Sequence, residues 1–192
     1  MSEMKNDIIY PEYSSWLPQI EVKIHPSTYK KSIVINYPWL WGDIDWYNSK
    51  YEVLAWLISE KIWTVLRISW PESILAWRNR EKLIYNKLDR VIKYVLENSE
   101  SLTWLSSENV DIYLIWLSAW ASWVAAISSK YPQIKKMLLM APSLAAWKES
   151  CRNWLWHYEG EFYWVIWTDD EIEDYESLWI LAKMSTRAST VR

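Results

Sequence analysis

The chain has 192 residues, enough for one domain with a sizeable core, and its 51% hydrophobic and 23% charged residues make an ordinary globular balance. A net charge of -3 argues against a nucleic-acid surface, which would be basic, and the single cysteine, Cys151, excludes an intramolecular disulfide. The polar start, Met1 to Tyr13, shows no secretory signal, and no run of about 18 or more apolar residues is long enough to span a membrane, so a soluble, cytoplasmic protein is expected.

In chain order, residues 1–19 read as an irregular arm and residues 20–192 as a single domain. Ile20 to Ile24 alternates apolar and polar residues, the mark of a half-buried strand. Ser32 to Tyr37 is a β-branched run suited to a buried central strand. After a loop with Pro38, Gly42 and Asp43, residues 47–61 place Tyr51, Leu54, Leu57 and Ile58 at helical spacing. Trp63 to Ser69 is the next strand. Arg80 to Glu97 forms a long amphipathic helix with Leu83, Ile84, Leu88, Val91, Ile92 and Val95 on one face. Val110 to Ile115 is a strand, and Ala119 to Ser129 is a small, apolar helix. Lys136 to Met140 and Phe162 to Ile166 are strands, Asp174 to Met184 is a helix, and Ser189 to Arg192 opens a further strand. Strands alternating with helices at this spacing predict an α/β fold, a mostly parallel central sheet with helices on both faces.

One pair of counts is abnormal: 18 Trp and 2 Gly. An ordinary chain carries roughly 7% glycine. The tryptophans sit at punctuation points, as in Pro38-Trp39-Leu40-Trp41-Gly42-Asp43, Ser69-Trp70-Pro71 and Trp167-Thr168-Asp169-Asp170. Each follows an apolar β-like run, where the chain must turn and glycine is favoured because it tolerates positive φ. These positions are expected to be glycines, encoded by UGA in a lineage that reads this codon as glycine and written here as tryptophan. The alternative is a genuinely Trp-rich binding protein that presents indoles to sugars or membrane interfaces.

The stretch from Asp111 to Ser122 carries the chemistry. A buried strand runs into a short turn with a central serine and then into a small-residue helix. With Trp116 and Trp120 read as glycine, the turn becomes Gly-Leu-Ser-Ala-Gly, a nucleophile elbow around Ser118. Small flanks are needed there so that strand and helix can approach each other. On an unrelated α/β fold, Ser118 would simply cap a helix.

In this context the chain, over residues 30 to 192, resembles the α/β-hydrolase superfamily, with the family's glycines written as tryptophan. The resemblance implies a serine hydrolase acting on an ester, thioester or related acyl bond of a small-molecule substrate, with no cofactor and no metal. Ser118 would be the nucleophile. The backbone N–H groups of Ala119 and of Leu40, in the loop after the first central strand, would form the oxyanion hole. Pro38 stands where the family often has histidine, which leaves a backbone donor intact. Asp170, with Asp169 as its backup, would be the acid that orients the histidine. As a plain turn, the same aspartates would cap a helix.

The family order is serine, acid, histidine, but only His25 and His157 are present. His25 reads as a surface residue. His157 lies between elbow and acid, out of family order, and is the candidate base within the chain. A fold that is incomplete at its C-terminal end, with the histidine beyond Arg192, is the expectation. A non-catalytic binding or interaction module of the same fold is the alternative. No Cys/His spacing for zinc and no phosphate-binding loop occur, and the acidic run 169–176 reads as a solvated turn and helix start.

Overall fold

The computed structural model describes residues 4–9, 19–28, 31–37, 50–68, 80–117, 127–140, 161–165 and 188–191. It divides into two compact units, Met1–Ile112 and Tyr113–Arg192.

The first unit contains β1 (Lys5–Ile9), β2 (Ile20–His25), β3 (Ser32–Tyr37), α1 (Lys50–Lys61), β4 (Thr64–Ile68), α2 (Arg80–Glu97) and α3 (Ser99–Thr103). Its strands lie in the order β1-β2-β4-β3. β2 is antiparallel to both neighbours, with Ile9 opposite Ile20 and Ile24 opposite Leu66, whereas β3 and β4 run parallel, with Ile35 opposite Leu66. Every residue of β4 is buried, as are Ser32 to Asn36 of β3, which is why both read as continuous apolar runs rather than alternating ones. β2 keeps its alternation, with Ile20, Val22 and Ile24 inward. Lys5–Ile9, placed by sequence in the irregular arm, is instead a strand. Its polar run Lys5-Asn6-Asp7 hides the strand signal because four of its five residues are exposed and only Ile9 is buried.

The helices follow their patterns in part. On α2, Leu88, Val91, Ile92 and Val95 are buried, matching the expected face. On α1 the buried row is Tyr51, Ala55 and Ser59, one step round from the expected stripe, and Leu57 is exposed. Small residues at i and i+4 let α1 lie close to its neighbours β4 and β2. The short α3 had no sequence expectation. It is tied in by the Thr64 hydroxyl, which accepts from the Ser27 N–H and donates to the Leu102 carbonyl, each at 3.2 Å.

α3 ends at Trp104, whose backbone lies at φ 66° and ψ 7°, in the left-handed region. Its N–H donates to the Glu100 carbonyl at 2.8 Å, closing the last turn. Among the described residues it is the only non-glycine at positive φ.

β5 (Asp111–Leu117) crosses the division, and the second unit also holds β6 (Ile134–Met140), β7 (Glu161–Val165) and β8 (Ala188–Val191), in the order β5-β6-β7-β8. β6, β7 and β8 are parallel neighbours, with Leu138 opposite Tyr163 and Tyr163 opposite Ser189. On β5, Ile112 and Leu114 are buried and alternate with half-buried Asp111, Tyr113 and Ile115. Among the described pairings three are parallel and two antiparallel, so the expected mostly parallel α/β sheet is present. The helix expected over 119–129 is described only at Ile127–Ser128, and the one expected over 174–184 lies outside the described residues.

Candidate active site

Leu40, Ser118, Ala119, His157, Asp169 and Asp170 all lie outside the described residues. Three described strands precede Leu40, Ser118 and the Asp169-Asp170 pair in the chain. β5 ends at Leu117, the residue before Ser118. β7 ends at Val165, four residues before Asp169 in the chain. β3 ends at Tyr37, three residues before Leu40 in the chain. In open α/β sheets, ligands bind beyond the carboxyl ends of the strands. Ser118, the Asp169-Asp170 pair and Leu40 thus come after described strands in the chain, whereas His157 does not directly follow one. Because β6, β7 and β8 are parallel, their carboxyl ends share one edge.

Asn36, next to last in β3, is 2% exposed, and neither its amide nitrogen nor its amide oxygen has a hydrogen-bond partner. Such a group carries a desolvation cost, which buried amides normally avoid by pairing. Sequence reading passed over Asn36 as one polar letter in a β-branched run, although that interruption is itself a signal.

His25 is fully buried, which corrects the surface placement. Its Nε2 accepts from Arg67 Nε at 2.9 Å, and its ring meets Trp56 edge-on at 4.7 Å between centroids. Alternation along β2 would turn His25 outward, but Ile24 and His25 are both buried, so both faces of the strand are covered there. Arg67 stands opposite Asn36 in register and is itself buried, with its Nη2 3.8 Å from the Met4 sulfur. With Nε2 held as an acceptor for a guanidinium, His25 is engaged in the core rather than poised as a base. The charged letter inside the apolar run Thr64-Val65-Leu66-Arg67-Ile68 was the sequence signal for this pair.

Two further groups are electrostatically perturbed. Tyr94 donates its hydroxyl to Asp7 Oδ2, tying α2 to β1. Burial, then that hydrogen bond, then the nearby carboxylate charge push its phenol above the usual tyrosine range. Burial also holds the Lys87 ammonium well below the usual lysine range. Among the described residues, no group of three or more His, Cys, Asp or Glu is placed to hold a metal ion. No helix there is long and apolar enough to cross a membrane.

No protein-family model matches the chain, and no curated protein matches it. Solved structures do. The dienelactone hydrolase of Anabaena variabilis is similar with a TM-score of 0.71 at 10% identity, over 98% of this chain and 82% of that one. An esterase of Pyrococcus furiosus is similar with a TM-score of 0.68 at 11% identity, over 98% and 82%. The thermostable carboxylesterase EstE1, cloned from a metagenomic library, has a TM-score of 0.64 at 15% identity, over 100% and 78%. With its mostly parallel sheet and these structural relatives, the chain has the fold of the α/β-hydrolases.

Proposed function

We propose that the protein is a serine hydrolase of small acyl substrates, an esterase or thioesterase, with Ser118 as nucleophile. The observation that supports this reading is the end of β5 at Leu117, the residue before Ser118 in the chain, since a nucleophile elbow follows a strand. The similar solved structures, a dienelactone hydrolase, an esterase and a carboxylesterase, support the same class.

In this mechanism Ser118 Oγ attacks the acyl carbonyl while a histidine takes its proton. The histidine then returns the proton to the leaving alcohol or thiol, and water releases the acyl group by the reverse sequence. Asp170, or its neighbour Asp169, orients the histidine and stabilises its charged form. The backbone N–H groups of Ala119 and Leu40 hold the negative charge that develops on the carbonyl oxygen. His25 is committed to Arg67, which leaves His157 as the candidate base within residues 1–192.

The test is hydrolysis of short acyl esters by a chain carrying glycine at positions 116 and 120, expressed with any coding sequence that follows Arg192. The expected outcome is turnover that Ser118→Ala lowers by about 10⁴-fold or more. Absence of turnover in a folded chain would favour the non-catalytic binding module on the same fold.

A further inference from the structure

We infer that the chain made in its own cells carries glycine at positions 104, 116 and 120, all supplied by one reassigned codon, and that the turn around Ser118 is competent only in that form. The part concerning 116 and 120 rests on the hydrolase reading; the part concerning 104 does not.

The backbone at Trp104 is the independent observation. It adopts φ 66° at the end of α3, and a left-handed residue at a helix C-terminus is the commonest place for glycine in such a turn. A Cβ at that φ crowds the following carbonyl, whereas glycine meets no such obstacle. Burial of the indole does not offset the crowding, because Trp104 is 70% exposed. The position was not among those that the sequence singled out, yet its conformation asks for the residue that the chain lacks: 2 Gly against 18 Trp.

Trp56 provides the contrast. It lies inside α1, where glycine is unfavourable, and its ring packs on His25 at 4.7 Å. A single reassignment of UGA therefore predicts a split. Trp104, Trp116 and Trp120 share UGA and are read as glycine, while Trp56 is encoded by UGG and is tryptophan. Trp116 and Trp120 flank Leu117-Ser118-Ala119, where a nucleophile turn needs small residues on both sides.

The test is peptide mapping by mass spectrometry of the protein purified from its source cells, read beside the gene. Glycine at 104, 116 and 120 with tryptophan at 56 is the expected result, and tryptophan at 104 overturns the inference. A variant pair of the recombinant chain checks the geometry. Trp104→Gly should raise the urea midpoint, and Trp104→Ala, which keeps a Cβ, should not; an equal rise in both overturns the backbone argument. If mapping finds the three glycines but the glycine-bearing chain neither hydrolyses esters nor reacts with a fluorophosphonate, the coding inference stands and the catalytic reading falls.

Discussion

Helix α1 and the turn after α3 each carry a tryptophan, and the two regions use it in opposite ways. In α1, Trp56 is part of a packed group with His25, whose imidazole accepts from the buried Arg67. After α3, Trp104 is mostly in solvent, and its backbone takes a conformation that side chains with a Cβ avoid. The first position packs the indole inside a helix, and the second holds it on a left-handed backbone at a helix end. The same letter therefore carries information about packing in one region and about chain reversal in the other. Under the proposed function, Trp116 and Trp120, which flank Ser118 in the chain, would belong with the second kind, because a nucleophile turn requires small flanks.

The largest effect that follows from this contrast is at the nucleophile turn. Replacing both Trp116 and Trp120 with glycine should raise the rate of Ser118 labelling by a fluorophosphonate on the order of 100-fold, since misplacement of a reacting group by about 1 Å has a cost of that size. An unchanged rate would place these tryptophans with Trp56 rather than with Trp104. Next in size is Trp56→Gly, which removes the ring against His25 and adds a helix-interior glycine. Chemical denaturation should show a loss of about 2–4 kcal/mol. Trp104→Gly carries the opposite sign and should gain about 1 kcal/mol in the same measurement. Two changes of the same sign would erase the distinction between the regions.

The smallest effect is the tie between α2 and β1. Tyr94→Phe removes the hydroxyl that donates to Asp7 and should cost about 1 kcal/mol at neutral pH. The phenol's folded-state pKa lies above its unfolded value near 10. The stabilising linkage is therefore fully present below about pH 10 and is lost as pH rises through the folded-state value. The alkaline limb of the stability curve should be flatter in Tyr94→Phe than in the parent.

Much of the fold was legible in the sequence because its strands are written in β-branched runs. Ser32 to Tyr37 and Thr64 to Ile68 announce themselves as buried strands, and α2 shows its face at Leu88, Val91, Ile92 and Val95. β1 was missed because an edge strand with exposed Lys5, Asn6 and Asp7 has no apolar pattern to display. The buried row of α1 was misjudged by one step because Ala55 and Ser59, although small or polar, face inward, while Leu57 faces solvent. His25 was misplaced because alternation describes one covered face, and β2 is covered on both at that point. At the candidate site, sequence named Ser118 through the Gly-x-Ser-x-Gly pattern read with Trp116 and Trp120 as glycine; β5 runs to Leu117, two residues past the expected Ile115, and Ser118 itself lies outside the described residues. Asn36 could have been noticed as the one amide in a β-branched run, but no local pattern reveals that both of its polar atoms lack partners.

The most direct test of the central claim is to react the chain carrying glycine at 116 and 120 with a fluorophosphonate and to locate the adduct by tandem mass spectrometry. A single adduct on Ser118, lost in Ser118→Ala, is the predicted result. No adduct in the folded chain, or an adduct on another residue that survives Ser118→Ala, would contradict it.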